Sequence, residues 1–293
     1  MHDGEREETS PFKRLRHYLH PEILPDYDAL LQKVSGQPYT EIWSRVLDII
    51  TMGDDLRLSR RWRFSDRRML PILLEEILCH REYFAPAPNS GTPRILDCGG
   101  NFGLAVFYFK RLFPDSKIEV FEPAHHMADI LEFNLKRNKF DDVVLHRTAV
   151  CAENGKAPFY VSRIEDPASS LYTERSREDS EELIVPTVSL RSLLKTPVTL
   201  LKLDIEGAEA EALAHAKDRL RQCETIICET HAMNGRNTLL DVLNVLDEAG
   251  FDWAVARSIW DENEDRFCFV RTVSKARSYC VFARRKDTSK TGE

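Results

Sequence analysis

Six acidic residues, one histidine and a cluster of glycines stand where short apolar runs of the sequence stop. The first run, RILDC, ends in Asp97-Cys98-Gly99-Gly100-Asn101-Phe102-Gly103. Gly99 and Gly103 remove side chains where a backbone must turn tightly or approach a ligand. The second run, KIEVFEP, closes on Glu122, 25 positions after Asp97, and Pro123 stiffens the turn that follows. An acidic residue at such a tip can accept hydrogen bonds from both hydroxyls of a ribose. A surface charge or a helix-start acid is the plainer account of Glu122.

The glycine spacing is not GxGxxG, and an acidic residue precedes the first glycine. A carboxylate there repels a pyrophosphate and attracts an ammonium or sulfonium group. That chemistry favours S-adenosylmethionine over NAD. A third run, DVVLHRTAV, is expected to end at Arg147-Thr148-Ala149, beside the adenine of a nucleoside held by Glu122; an ordinary loop is the alternative.

The fourth run, VTLLKLDIEGAE, delivers Asp204, Glu206 and Glu209. Glu209 has a simple explanation, an acid in a helix first turn. Asp204 interrupts an apolar strand at the ligand edge. It could orient a substrate hydroxyl, contact the aminoacyl part of the cofactor or bind a divalent metal. A turn acid paired with Lys202, two residues earlier on the same side of the strand, is the structural alternative. The fifth run ends in Cys228-Glu229-Thr230-His231, with Glu229 and His231 on one face by the period of two. His231 fits a general base, its ordinary pKa lying near neutrality. A lone loop histidine is the alternative. A divalent metal is left open; Asp204 and Glu229, with or without His231, are its candidate ligands, at irregular spacing.

Strands must carry these tips. After the Pro- and Gly-rich stretch 85–92, short apolar runs alternate with helical patterns: FGLAVFYFKRLF, HHMADILEFNLKRN, AEAEALAHAKDRL and TLLDVLNVLDEAG. The last stops at Gly250, and FDWAVAR and ARSYCVFARR read as closing strands. Such alternation defines an α/β protein with a doubly wound, mostly parallel sheet. Runs such as TLLKLDI lack strict alternation, as expected where helices cover both faces. Ligands of such sheets bind at the carboxyl ends of the strands. Residues 11–84 show three- and four-residue apolar spacing and no convincing strand alternation. The expected organisation is a helical region, 1–90, for acceptor binding, lid or oligomer contacts; a cofactor-binding domain, 91–286; and a polar tail, 287–293.

The chain has 293 residues, 42% of them apolar, enough for a large core. Its 41 Lys and Arg against 48 Asp and Glu give a net charge of −7, a poor match to a generic polyanion. The seven cysteines lack CxxC spacing, so neither a zinc ribbon nor a disulfide framework is indicated. A cytoplasmic setting fits them. The polar start, MHDGEREETS, has no apolar leader region, and no run of 18 apolar residues suggests a membrane span.

DCGGNFG, VFEP, LHRTAVCAENG, LLKLDIEGAE and ETH, in that order across about residues 94–250, resemble the FkbM-type methyltransferases. The resemblance implies a seven-stranded class I methyltransferase fold. It also implies transfer of the methyl group of S-adenosylmethionine to a hydroxyl oxygen, commonly on a sugar or polyketide-like secondary metabolite, with S-adenosylhomocysteine as product. By that similarity Asp97, Gly99, Asn101 and Glu122 match cofactor positions; Asp204, Glu206 and Glu229 match an acidic edge. Gly100 departs from the pattern, where many members have another small residue. The turn as a whole, Asp97, Cys98, Gly99, Gly100, Asn101 and Gly103, joins Glu122, Pro123, Thr148, Ala149 and Asp204 as the expected cofactor set. His231, Asp204 and Glu229 are the expected catalytic set.

The expected partner is a small hydroxylated acceptor, anionic or neutral, with no membrane; a homo-oligomer is left open. A nucleic-acid acceptor is the main competitor, because Leu56–Met69 interleaves Arg57, Arg60, Arg61, Arg63, Arg67 and Arg68 with Trp62 and Phe64. The net charge favours reading that segment as a solvated or ion-paired face. A non-catalytic binding protein on the same fold is the other competitor.

Overall fold

A computed structural model describes residues 91–162, 180–231, 238–257 and 278–286, residue 171, and short pieces between 51 and 88. Three short strands, β1 (Thr51–Met52), β2 (Asp55–Arg57) and β3 (Arg61–Arg63), pair antiparallel as one small sheet. Helix α1 (Leu70–Leu74) follows. The helical periodicity read over residues 11–84 thus gives way to strands at 51–63. Strands of two or three residues are too short for alternation to register in a sequence. The helical patterns read before residue 51 lie outside the described residues.

The remaining elements alternate as expected. They are β4 (Arg94–Cys98), α2 (Leu104–Leu112), β5 (Lys117–Phe121), α3 (His125–Asn138) and β6 (Val143–His146). Then come β7 (Ala149–Cys151), β8 (Gly155–Ser162), β9 (Ser180–Ser189) and α4 (Leu190–Leu193). Strand β10 (Val198–Leu203), α5 (Glu209–Ala216), β11 (Cys223–His231), α6 (Leu239–Glu248), β12 (Phe251–Arg257) and β13 (Ser278–Arg285) complete the described chain.

Seven strands form the main sheet in the order β12-β13-β11-β10-β4-β5-β6. Neighbours from β11 to β6 run parallel; β13 runs antiparallel to both β11 and β12. The sheet is Rossmann-like. From β4 the chain winds outward through β5 to β6, then returns to β10 and winds the other way. The switch point therefore lies between β4 and β10.

One expectation is corrected at the third strand. β6 ends at His146, and Ala149 opens β7, which joins β9 and β8 in a separate three-stranded sheet. The two-residue break at Arg147 and Thr148 falls within the polar stretch His146-Arg147-Thr148, which a strand tip at a ligand edge would carry equally well. Arg147 turns back onto α3, pairing with Asp129 at 2.7 Å and Glu132 at 3.0 Å.

Side-chain alternation sends buried residues to both faces of the main sheet. Ile95, Ile118, Val120, Leu200 and Ile227 pack under α2 and α3. Leu96, Cys98, Leu201, Leu203, Ile226 and Cys228 pack under α5 and α6. Trp62, Phe64, Leu70, Leu74 and Tyr83 join the first cluster, against Phe107 and Phe109. Trp62 meets Phe107 edge-on at 5.7 Å. Asn134 of α3 sews the segment down: its Oδ1 accepts from the Arg63 N–H at 2.7 Å, and its Nδ2 donates to the Arg63 and Phe102 carbonyls. Trp62 and Phe64 are therefore core residues and offer no ring for stacking on bases. Among the described residues no helix is long and apolar enough to cross a membrane.

Candidate active site at the switch point

Strand register builds the site. Phe121, Cys98, Leu203 and Cys228 are paired neighbours across four adjacent parallel strands. The next residue along each strand is Glu122, Gly99, Asp204 or Glu229. A single row across the carboxyl ends thus presents three carboxylates and a glycine, with Gly99 at the switch point.

The glycine is required by geometry. Gly99 has φ +92°, and a Cβ there would collide with the carbonyl oxygen of Asp204. Its N–H and that of Gly100 both donate to the Phe121 carbonyl at 3.0 Å. Gly103 has φ +96°, and a Cβ there would lie 2.9 Å from the Trp62 ring and 2.5 Å from Leu131. Gly100 abuts Val120. Asn101 takes a left-handed conformation, φ 49°, which orients its N–H toward Glu122.

Glu122 is buried and accepts from the Asn101 N–H at 2.8 Å and from the Ala124 N–H at 2.9 Å. Pro123 is the turn residue that the Ala124 bond spans. Burial raises the Glu122 pKa to about 7, the two backbone bonds opposing the shift. Each oxygen keeps a second lone pair for an incoming hydroxyl.

Asp97 sits differently from its expected place. It is fully buried two residues below the row, opposite Lys202 in the β4–β10 register. Neither Asp97 oxygen has a hydrogen-bond partner among the described residues, but Lys202 Nζ lies 3.3 Å from Oδ1. The same ammonium lies 3.3 Å from Asp204 Oδ2 and donates to the Gly99 carbonyl at 2.7 Å. The ion pair read as the alternative for Lys202 and Asp204 is present and extends to Asp97. Burial alone would lower the Lys202 pKa; Asp97 and Asp204 together push it up instead. Cys98 presents only its backbone to this edge, its carbonyl accepting from the Asp204 N–H at 3.1 Å. Its thiol lies in the core, where burial pushes its pKa well up. Thr148 is half-buried in the turn before β7, and Ala149 is buried beneath β8 and β9.

The β10–α5 turn and the tip of β11 hold the second cluster. Glu206 has φ 55° and Gly207 φ 113°. His231 Nδ1 lies 3.2 Å from Glu209 Oε1, and its Nε2 lies 3.5 Å from both Glu206 Oε2 and Glu229 Oε1. Burial would lower the His231 pKa, but Glu206, Glu209 and Glu229 together raise it well above 6.5. One ligand atom each of Asp204, Glu209 and His231 lie within 4.8 Å of one another. The Glu209 oxygens already accept from Ile205 and Gly207 N–H groups, and Oε1 faces His231. Glu206, Glu209, Glu229 and His231 form a carboxylate–imidazole network.

Tyr83 was not legible as a site residue. Its hydroxyl donates to Asp204 Oδ2 at 3.4 Å, and its ring lies 5.1 Å from Lys202 Nζ. Tyr83 and Asp204 are 121 positions apart, so no local pattern could reveal the contact.

The Rossmann-like sheet and its carboxylate-lined switch point define the class, a methyltransferase fold. The chain belongs to the FkbM methyltransferase family: the family model, Methyltransferase FkbM domain, matches residues 97–252, more than half of it. Its methyl donor is S-adenosylmethionine. Methyltransferase sdnD of Sordaria araneosa is 27% identical over 201 residues, covering 57% of this chain and 77% of that protein. Methyltransferase 1 of Beauveria bassiana (strain ARSEF 2860) is 26% identical over 216 residues, covering 64% and 85%. Among solved structures, the methyltransferase FkbM from Methylobacillus flagellatus KT superposes with a TM-score of 0.45 at 13% identity, over 75% of this chain and 56% of that one. The N-terminal domain of EvdMO1 with SAH bound gives 0.43 at 14%, over 86% and 98%.

The residues present fit the donor. Glu122 offers two acceptor oxygens on one carboxylate, the donor set a vicinal diol requires.

Proposed function

We propose that the chain methylates a hydroxyl oxygen of a polyhydroxylated small molecule, of sugar or secondary-metabolite type. The observation that carries this reading is the row Glu122, Gly99, Asp204, Glu229, with His231 beside its last member. Glu122 holds the ribose hydroxyls, and Gly99, Asn101 and Gly103 shape the backbone against the nucleoside. Asp97 acts through Lys202, which it holds in place. Bound S-adenosylmethionine supplies a methyl group on a sulfonium, whose release leaves a neutral thioether. Asp204 and Glu229 accept hydrogen bonds from the acceptor and aim its oxygen. Such positioning is worth about 7–11 kcal/mol of the barrier.

His231 takes the hydroxyl proton in its neutral form, a contribution of roughly 10²–10⁴-fold. Its raised pKa makes it a stronger base, populated at alkaline pH. Turnover then rises with pH through a midpoint above 6.5. The five described cysteines are free thiols, which supports a reducing, cytoplasmic setting. The buried Trp62 and Phe64 weigh against a nucleic-acid acceptor.

Isotope-labelled S-adenosylmethionine offered with glycosides, hydroxylated polyketides and RNA tests the reading. Label is expected on a hydroxyl oxygen of a small molecule, and Asp204→Asn is expected to slow its transfer roughly 100-fold. Label on RNA or on nitrogen, or an Asp204→Asn enzyme of undiminished rate, contradicts it.

A further inference from the structure

The geometry points to Glu209 as the positioning residue of the acceptor side: one carboxylate fixes both the His231 ring and the turn that presents Asp204. This rests on the proposed role of His231 and Asp204 and names what holds them.

Glu209 is 0% exposed, which an acid placed only to favour a helix dipole does not need to be. Its oxygens point back out of α5. Oε1 accepts from the Ile205 N–H at 3.0 Å and the Gly207 N–H at 3.1 Å; Oε2 shares the Gly207 donor at 3.1 Å. The same Oε1 lies 3.2 Å from His231 Nδ1. Three elements therefore meet at one side chain: the turn after β10, the first residue of α5 and the last residue of β11.

Each bond has a consequence at the site. Ile205 directly follows Asp204, so anchoring its N–H fixes the backbone that carries the acceptor-facing carboxylate. The bonds to Ile205 and Gly207 flank Glu206, which holds a left-handed conformation that side chains avoid unless the surroundings enforce it. The contact at Nδ1 orients the ring so that Nε2 faces Glu206 and Glu229 at the strand tips. A carboxylate hydrogen-bonded to one imidazole nitrogen sets which nitrogen is left to act. The charged groups around the ring, among the described residues, are Glu206 from the turn, Glu209 from α5, Glu229 from β11 and Asp204 from the end of β10.

The test is ¹⁵N-imidazole NMR of the full chain as wild type, Glu209→Gln and Glu209→Ala, with His231→Asn assigning the resonance. In the wild type the His231 Nδ1 proton is expected to be bonded and slow to exchange. In Glu209→Gln it is expected to remain bonded, since an amide oxygen still accepts. Glu209→Ala is expected to release the proton to fast exchange. A wild-type Nδ1 that carries no protected proton overturns the proposal, as does a Gln variant that has lost that protection. Should the Ala variant not fold, those two measurements still decide. Failure of the base reading is seen separately: His231→Asn would then release S-adenosylhomocysteine at the wild-type rate while the Nδ1 bond stands.

Discussion

The two sides of the switch point are built by different means. On the β4–β5 side the ligand surface is mostly backbone, two positive-φ glycines and one carboxylate, Glu122, already bonded to main-chain N–H groups. On the β10–β11 side Asp204, Glu206, Glu209, Glu229 and His231 crowd together and balance one another. A surface made by backbone shape recognises a fixed ligand. A surface made by side chains suits a variable one, with Glu209 among them holding the turn itself. Between the two halves stands Lys202, tied to both by Asp97 and Asp204.

The largest effect is expected from breaking that tie. Lys202→Met leaves Asp97 buried with its charge unopposed, and loss of one partner of a buried pair costs about 3–5 kcal/mol. Denaturant unfolding of the variant measures it. A loss under 1 kcal/mol would show the two halves to be independent. Gly99→Ala comes next: the new Cβ meets the Asp204 carbonyl at a φ that side chains avoid, for about 3 kcal/mol of strain. The same unfolding measurement applies. S-adenosylhomocysteine affinity should fall with it, because the collision lies at the switch point itself.

Much of this contrast was readable in the residues. Glycines after Asp97 and an acid 25 positions on gave the cofactor side, because backbone shape there demands particular residue types. Asp204 stood out by interrupting an apolar strand, and Glu229 and His231 by sharing a face. The pairings themselves were less visible. Glu209 read as an ordinary helix-start acid, since its dipole role and its buried role call for the same residue at the same place. Tyr83 and Trp62 reach the site from far away in sequence, packing against elements that the core alone selects. The turn at Arg147 and Thr148, between two sheets, left only a short polar stretch that a strand tip explains equally well.

The smallest change in stability, and the sharpest in binding, belongs to Glu122. Its pKa is raised to about 7 in the folded chain from 4.5, so its contribution to stability is present at low pH and is lost as pH rises through about 7. Glu122→Gln should remove that loss, on the order of 1–3 kcal/mol between pH 5 and 8. Ribose hydroxyls donate to the ionised form, so the sign for binding is opposite. Titration calorimetry with S-adenosylmethionine from pH 5.5 to 8.5, on wild type and Glu122→Gln, tests the cofactor side most directly. Wild-type affinity should climb about tenfold per pH unit below 7 and then level, while the variant stays flat and at least about tenfold weaker at pH 8. Equal affinities with the same pH dependence would contradict the account.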